Sequence, residues 1–349
     1  MRALTVAPLT AGSARLEDVP EPDPTEGSVL VEALAVGVDG TDQEIVEGAY
    51  GWAPPGRDRL VLGHESLGRV LEALPGSDLR PDDLVVAFVR HPDPVPCENC
   101  AVGEWDMCRN GRYTEHGIKE RDGFLRARYR VEPDRVVRAD PELRELAVLT
   151  EPVSVVAKAW DHVERIGARA EFRPRRALVT GAGPIGLFAA MIGVQKGLEV
   201  HVLDRVTEGP KPALVKDLGA EYHADIEEAD LPFDVVIECT GVGQLVFHAI
   251  EHTAPGGVIC LTGIASSQRE IPLDASAINK ELVLNNTVIF GSVNAGARHY
   301  AQAERGLAAA ERGWLERLIT RRVPLDRWPE ALERHPDDVK TVITFDAVP

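Results

Sequence analysis

The stretch Ala177-Leu178-Val179-Thr180-Gly181-Ala182-Gly183-Pro184-Ile185-Gly186 limits the fold of this chain more than any other. A short β run enters a turn with three glycines and leaves as the helical segment Leu187 to Gln195. Glycine lets a backbone turn tightly and approach another backbone, or a ligand, with no side chain in the way. Such a strand-turn-helix aims free N–H groups and the positive end of a helix at one spot, where a pyrophosphate can sit. Alone, the glycine pattern is weak. Its context strengthens it, because a second β run, Glu199 to Leu203, follows and ends in Asp204, 18 residues past Gly186. A carboxylate there accepts hydrogen bonds from ribose hydroxyls.

Strand and helix patterns then keep alternating: Asp234 to Gly241, the helix Gln244 to His252, Gly257 to Gly263, and Val288 to Gly291. This alternation predicts an α/β chain with a parallel, doubly wound sheet of Rossmann type over residues 156–296. Cys239 and Cys260 fall inside these strands and read as ordinary buried residues. From Ala297 to Arg312 an alanine-rich segment predicts one long helix, and Val339 to Asp346 a final strand. That tail, 297–349, is assigned to the same domain as residues 1–155. Two domains suit 349 residues.

In the first domain three apolar runs end in residues that can ligate a metal or carry a proton. Ser28 to Val36 delivers Asp39, with Gly37 and Gly40 expected to turn the backbone; Leu60-Val61-Leu62 delivers the glycine-bracketed pair His64-Glu65; Leu149-Thr150 delivers Glu151. Pro141 to Leu149 and Val153 to Ile166 have helical spacing, and Pro152 fits a first turn. Between them lies Cys97-Glu98-Asn99-Cys100, with Cys108 eight residues on, in a lobe too poor in apolar residues to fold by packing. A tetrahedral metal site would stabilise it. Only three thiols are present, so the fourth ligand is Asp93, His91, Glu104 or nothing.

Charge removes some function classes. With 38 basic and 56 acidic residues the net charge is −18, which argues against nucleic acid or an anionic membrane as partner. Only seven of the basic residues are lysine, a bias that fits salt adaptation and a GC-rich source equally well. No basic start precedes an apolar core, and no run reaches membrane-span length, so a soluble, cytoplasmic protein is expected.

Together, the Gly63-His64-Glu65 turn, the carboxylate at Asp39, the cysteine lobe and the glycine turn near residue 180 resemble the zinc-dependent medium-chain alcohol dehydrogenase/reductase superfamily. Three stretches are similar to its archaeal-type glucose dehydrogenases: Val36-Gly37-Val38-Asp39-Gly40-Thr41-Asp42, Tyr113-Thr114-Glu115-His116-Gly117-Ile118 and Gly291-Ser292-Val293-Asn294. Alcohol dehydrogenases usually carry cysteine where Asp39 stands. The resemblance implies a GroES-like, mainly β catalytic domain beside the Rossmann domain, and metal-assisted hydride transfer from glucose or a similar aldose to NAD(P)+. A polyol or secondary-alcohol dehydrogenase is the alternative. A nucleotide sensor without activity is a further one, disfavoured because Asp39, His64 and Glu151 are all intact.

The resemblance implies a catalytic Zn2+ on Asp39 and His64, with Glu151 bound directly or through water and Glu65 exchanging with water. This hard, anionic donor set also suits Mn2+ or Mg2+. Thr41 is placed as a proton relay, Glu115 and Asn294 (with Glu151) as sugar-binding residues, and Cys97, Cys100 and Cys108 as an incomplete structural zinc site, Pro94 standing where a fourth cysteine is usual. Cofactor contacts fall to Gly181, Gly183, Pro184, Ile185, Gly186, Asp204, Arg205, Thr240, Thr262, Ser292 and Asn294. Asp204 predicts NAD+ preferred over NADP+, with Arg205 as a partial offset. A homo-oligomer, dimer or tetramer, is expected through the edge strand Thr287 to Phe290.

Overall fold

A computed structural model describes residues 1–74, 76–225, 232–264 and 270–345. The chain divides into two compact units, Met1–Ser154 with Asn294–Pro349, and Val155–Val293.

The first unit is built on a seven-stranded sheet whose hydrogen-bonded path runs Val136–Arg138, Leu84–Ala87, Glu65–Glu72, Val29–Val38, Lys340–Thr344, Ile319–Pro324. Arg128–Val131 pairs with the first half of Val29–Val38, on the edge whose second half takes Lys340–Thr344. Alternating burial along Val29–Val38 turns Val29, Val31, Ala33 and Val36 into a core with Leu4, Val6, Leu60, Leu62, Phe124 and Tyr129. Burying those side chains is worth about 1.5–3 kcal/mol for each large one. Two small three-stranded sheets complete the unit, one carrying Arg90–His91 and Thr114–His116.

The second unit is a six-stranded, all-parallel sheet in the order Glu221–His223, Glu199–Leu203, Arg176–Thr180, Phe233–Glu238, Thr253–Leu261, Val288–Gly291. Strand order reverses between Glu199–Leu203 and Phe233–Glu238, on either side of Arg176–Thr180, and the crevice beyond their carboxyl ends is where such sheets bind ligands. Val288–Gly291 is an edge strand of this sheet.

Several local expectations need correction. The helix expected over Ala297 to Arg312 ends at Ala308, and a second helix, Arg312–Leu318, begins at the last residue of that segment, where the Glu311 carboxylate accepts hydrogen bonds from the Gly313 and Trp314 N–H groups. The strand Ile319–Pro324, parallel to Lys340–Thr344, is absent from the sequence reading. Cys239 lies one residue past its strand, whereas Cys260 is within one and fully buried. Of the two segments with helical spacing, Pro141 to Leu149 is a 3-10 helix over Arg144–Leu149, and it runs directly into the helix Thr150–Gly167, which has Pro152 in its first turn as expected. Asp346, assigned to the final strand, lies outside the described residues. Among the described residues, no helix is long and apolar enough to cross a membrane.

Candidate active site

Asp39 follows the strand Val29–Val38 and caps the short helix Gly40–Val46, its Oδ1 accepting hydrogen bonds from the N–H groups of Thr41 (2.8 Å) and Asp42 (3.3 Å). Gly63, at φ +88°, turns the chain after Leu60–Val61, and Glu65 opens the next strand opposite Gly37. The ligand atoms of Asp39, His64 and Glu65 then lie within 4.8 Å of one another. His64 Nε2 is 3.5 Å from Asp39 Oδ2. The Thr41 hydroxyl donates to the same oxygen at 3.4 Å.

Gly37 does not turn the backbone as was expected; the strand gives way to the helix at Asp39, with Gly40 as the first helical residue. Gly37 sits within the strand, and a Cβ there would run into the Glu65 carboxylate and lie 3.0 Å from Lys340 Cε. Its missing side chain makes room for the site.

Two residues of the site escaped the sequence reading. Asp42, almost fully buried, places Oδ1 3.6 Å from His64 Nδ1, where a carboxylate orients an imidazole from behind. Its signal was the Asp-x-x-Asp cap, in which the Asp42 carboxylate accepts from the Asp39 N–H. Lys340, only 2% exposed, forms an ion pair with the equally buried Glu65 and donates to the Val38 carbonyl at 3.1 Å. A lysine opening the last β run looks like a surface residue, so no sequence signal pointed to it.

The charges are strongly coupled. Burial opposes ionisation of both Asp39 and His64, yet their mutual attraction holds the Asp39 carboxyl below its usual range and the His64 imidazolium well above it, with Asp42 adding to the latter. Burial raises Glu65, against Lys340. Glu151, in the first turn of Thr150–Gly167, is outside the close group; burial pushes it up to about 8, with Glu65 and Asp39 adding and His64 and Lys340 opposing. An imidazole among carboxylates therefore keeps a proton whose positive charge the pocket demands. A divalent cation fits the same donors and would supply that charge instead.

Glu115, on the strand Thr114–His116, is buried, and its Oε1 accepts hydrogen bonds from Arg90 Nε (2.9 Å) and Asn294 Nδ2 (3.1 Å). Arg90 also escaped the sequence reading; its guanidinium lies 3.8 Å from the centre of the Tyr113 ring. Asn294 has φ +61°, the left-handed conformation that asparagine adopts more readily than most residues with a side chain.

In the second unit a cavity of about 660 Å³ is lined by Gly181, Asp204, Arg205, Lys211 and Thr240, among others. Gly181 has φ +89°, and a Cβ on Gly186 would strike the Gly181 carbonyl oxygen. Pro184 and Ile185 open the helix Pro184–Gln195, which Gly183 caps; a Cβ on Gly183 would meet nothing within 4 Å, so the space is left for a ligand. Asp204 accepts hydrogen bonds from the N–H groups of Ala182 (2.7 Å) and Val206 (3.0 Å), one on each oxygen, which leaves a lone pair on each for a ribose hydroxyl. Lys211 Nζ is 3.9 Å from Asp204 Oδ2.

Thr262, Ser292 and Asn294, grouped with the cofactor residues in the sequence, are not among those lining this cavity. The Thr262 hydroxyl donates to the Glu238 carbonyl at 2.8 Å, and Asn294 turns to Glu115. Glu238, fully buried and unanticipated, accepts from Thr180 Oγ1 (3.1 Å) and the Thr240 N–H (2.7 Å) and so fixes the turn that presents Thr240.

The Cys97, Cys100 and Cys108 sulfurs lie within 4.8 Å of one another. Hydrogen bonding from the Arg109 N–H leads in lowering the Cys97 thiol to about 6, whereas burial raises Cys100 to about 11. The three residues considered for a fourth ligand are committed elsewhere. Asp93 accepts from the Val95 N–H and from Asn110 Nδ2, both at 2.8 Å, His91 meets His116 at 3.0 Å, and Glu104 pairs with Arg298 at 2.7 Å.

Residues 144–345 match the family model described as glucose dehydrogenase C-terminus, and residues 25–141 that of the alcohol dehydrogenase GroES-like domain. The glucose 1-dehydrogenase of Methanocella arvoryzae is 39% identical over 361 residues, covering 99% of this chain and all of the relative. That of Thermoproteus tenax is 42% identical over 350 residues, covering 98% and 99%. Among solved structures, Haloferax mediterranei glucose dehydrogenase in complex with NADP, Zn and gluconolactone superposes with a TM-score of 0.92 at 31% identity, over the whole of both chains.

Proposed function

The chain belongs to the glucose dehydrogenases of the zinc-dependent medium-chain alcohol dehydrogenase superfamily, and from that premise we propose that it oxidises glucose or a similar aldose at C1 to the lactone. It is a zinc-dependent, NAD(P)-dependent dehydrogenase. The observation that carries the sugar reading is the buried Glu115, anchored by Arg90 and Asn294, in the same unit as Asp39, His64 and Glu65. A multiply hydroxylated substrate needs such fixed acceptors and donors, and a simple alcohol does not.

Asp39 and His64 hold the metal in this reading, with Glu151 close by and Glu65 kept in reserve on Lys340. When bound, zinc supplies Lewis acidity that lowers the pKa of the substrate hydroxyl, so that its carbon can release hydride. Asp42 keeps the His64 ring in place, and Thr41 acts as the relay, its Oγ1 accepting the substrate hydroxyl proton as it passes its own outward to water. Gly181 to Gly186 seat the pyrophosphate, and Asp204 takes the ribose hydroxyls.

Asp204 favours NAD+, since a 2′-phosphate beside a carboxylate is repelled; Lys211 and Arg205 offset this, so NADP+ is accepted as well. The edge strand Val288–Gly291 suits pairing with its copy in a homo-oligomer, and a monomeric mass by light scattering would exclude that arrangement. The deciding experiment is a panel of aldoses, polyols and secondary alcohols with NAD+ and NADP+, with and without chelator. Aldoses should give the highest kcat/KM, chelation should abolish it, and His64→Ala should lose turnover with about one metal ion per chain. Faster turnover of a polyol would move the assignment to that class.

A further inference from the structure

A second donor cluster lies in the dinucleotide-binding unit, apart from every residue used above. Glu199 and His201 share one face of the strand Glu199–Leu203, being two residues apart, and Glu221 and His223 share a face of the neighbouring strand Glu221–His223. Parallel pairing sets His201 opposite Glu221 and Leu203 opposite His223. The outcome is compact: His201 Nδ1 is 2.8 Å from His223 Nε2, and the Glu221 carboxylate is 3.7 Å from the former and 4.0 Å from the latter. Both imidazoles are nearly buried, 2% and 4% exposed, while Glu221 faces solvent. We propose that His201, His223 and Glu221 form a second, non-catalytic binding site for a divalent transition-metal ion, zinc foremost.

The geometry is close to what such an ion needs. Tetrahedral zinc with bonds of about 2.0–2.1 Å separates its donors by roughly 3.3 Å. The two nitrogens must open by about half an ångström from their present contact, and the carboxylate must close by a similar amount. Surface glutamates move that far by rotamer adjustment alone. A fourth position stays open to water.

The protons also balance. A nitrogen pair at 2.8 Å shares one hydrogen, so at least one ring is neutral and presents a lone pair to the other. For both nitrogens to face an ion, the shared hydrogen, whether on His201 Nδ1 or on His223 Nε2, must leave for the other nitrogen of its own ring or for water. Glu199 Oε1 stands 3.1 Å from His201 Nε2, ready to accept a hydrogen bond from that nitrogen when the proton resides there. A carboxylate behind a ligand imidazole is the arrangement that fixes the tautomer at metal sites. Phe233, edge-on to His201 with centroids 5.2 Å apart, closes the apolar side and keeps the ring from turning away.

The ion would tie the outermost strand of the sheet to its neighbour. That strand supports the cofactor loop, because the Tyr222 hydroxyl donates to the Asp204 carbonyl at 3.0 Å and the Asp204 N–H donates to the His223 carbonyl at 3.1 Å. Such a site would form whichever substrate the enzyme takes.

The test uses the full chain, stripped with chelator, reloaded with excess zinc, desalted and counted for metal by mass spectrometry. Wild type should retain one ion per chain more than Glu221→Gln and His223→Gln, and zinc should raise its melting temperature more than theirs. Glu221 is exposed, so its variant folds even where the histidine variant does not. Cobalt reloading separates this site from the thiols: the difference spectrum between wild type and Glu221→Gln should contain ligand-field bands of a nitrogen and oxygen site with no sulfur charge-transfer band. Equal ion counts in wild type and Glu221→Gln, or a thiolate band in the difference, would overturn the proposal.

Discussion

Replacing Lys340 with methionine removes a charge from the best-buried ion pair of the site while keeping the length of the side chain. Lys340 and Glu65 are each 2% exposed, so neither has water to fall back on. Removing one partner of such a pair costs about 3–5 kcal/mol, because the other charge is left uncompensated. For a domain of this size that corresponds to a fall in melting temperature of roughly 6–20 °C at neutral pH. The loss should depend on pH in a definite direction. Burial already raises the Glu65 carboxyl above the ordinary glutamate value of 4.5, and losing Lys340 raises it further. The folded variant then binds a proton that the unfolded chain has released, so its stability declines as pH rises between the two values and returns on acidification, by about 1.4 kcal/mol per unit. Thermal unfolding of metal-free wild type and Lys340→Met, at about pH 5 and about pH 8, measures both. The deficit should be large at the higher pH and shrink at the lower, and Glu65→Gln in the same chain should restore most of it. A deficit that is absent, or identical at the two pH values, refutes the argument.

Zinc affinity should rise as pH increases towards about 8, where burial has placed the Glu151 carboxyl, since a ligand must shed its proton before it can serve a metal; competition with a chelator at several pH values reads this. In the metal-free protein the same shift works the other way, costing stability as pH rises from 4.5 through about 8. Cys100→Ser should lower the melting temperature by several degrees and leave specific activity near wild type, and lost activity with unchanged stability would reassign the thiols to the catalytic centre. Lys211→Ala should reduce kcat/KM for NADP+ several-fold more than for NAD+, as it removes the cation beside Asp204; equal effects on both would mean that Lys211 does not reach the 2′ position. Arg90→Lys should raise KM for glucose about tenfold with a smaller change in kcat, because a fixed guanidinium positions Glu115 and a flexible ammonium does not.

What the sequence revealed followed local rules. The glycine turn at Gly181 to Gly186 and the carboxylate at Asp204 depend on spacing along one strand-turn-helix, so each was legible in order. Asp39, His64 and Glu65 were legible because each ends an apolar run. Lys340 was not, because its role depends on a strand pairing, Lys340–Thr344 with Val29–Val38, between segments some 300 residues apart. Arg90 was hidden for the same reason, since nothing near it in the chain indicates that it faces Glu115. The start of a second helix at Arg312 rested on one cap, Glu311, whose helix-starting role competes with an otherwise continuous alanine-rich pattern. Thr262 was grouped with the cofactor by position, but its hydroxyl is used inside the protein.

The strand that carries Lys340 is the last described strand to leave the ribosome, yet it lies inside the sheet, between Val29–Val38 and Ile319–Pro324. While the chain is being made, Glu65 therefore lacks its partner lysine, which is still some 275 residues from synthesis. The nascent first domain has an open slot on the edge of Val29–Val38 and an unneutralised glutamate beside it. Assembly of the group around Asp39, His64 and Glu65 thus waits on synthesis of Lys340–Thr344, and a chain stalled or clipped just before residue 340 should persist as a folded nucleotide-binding unit attached to an unfinished first unit.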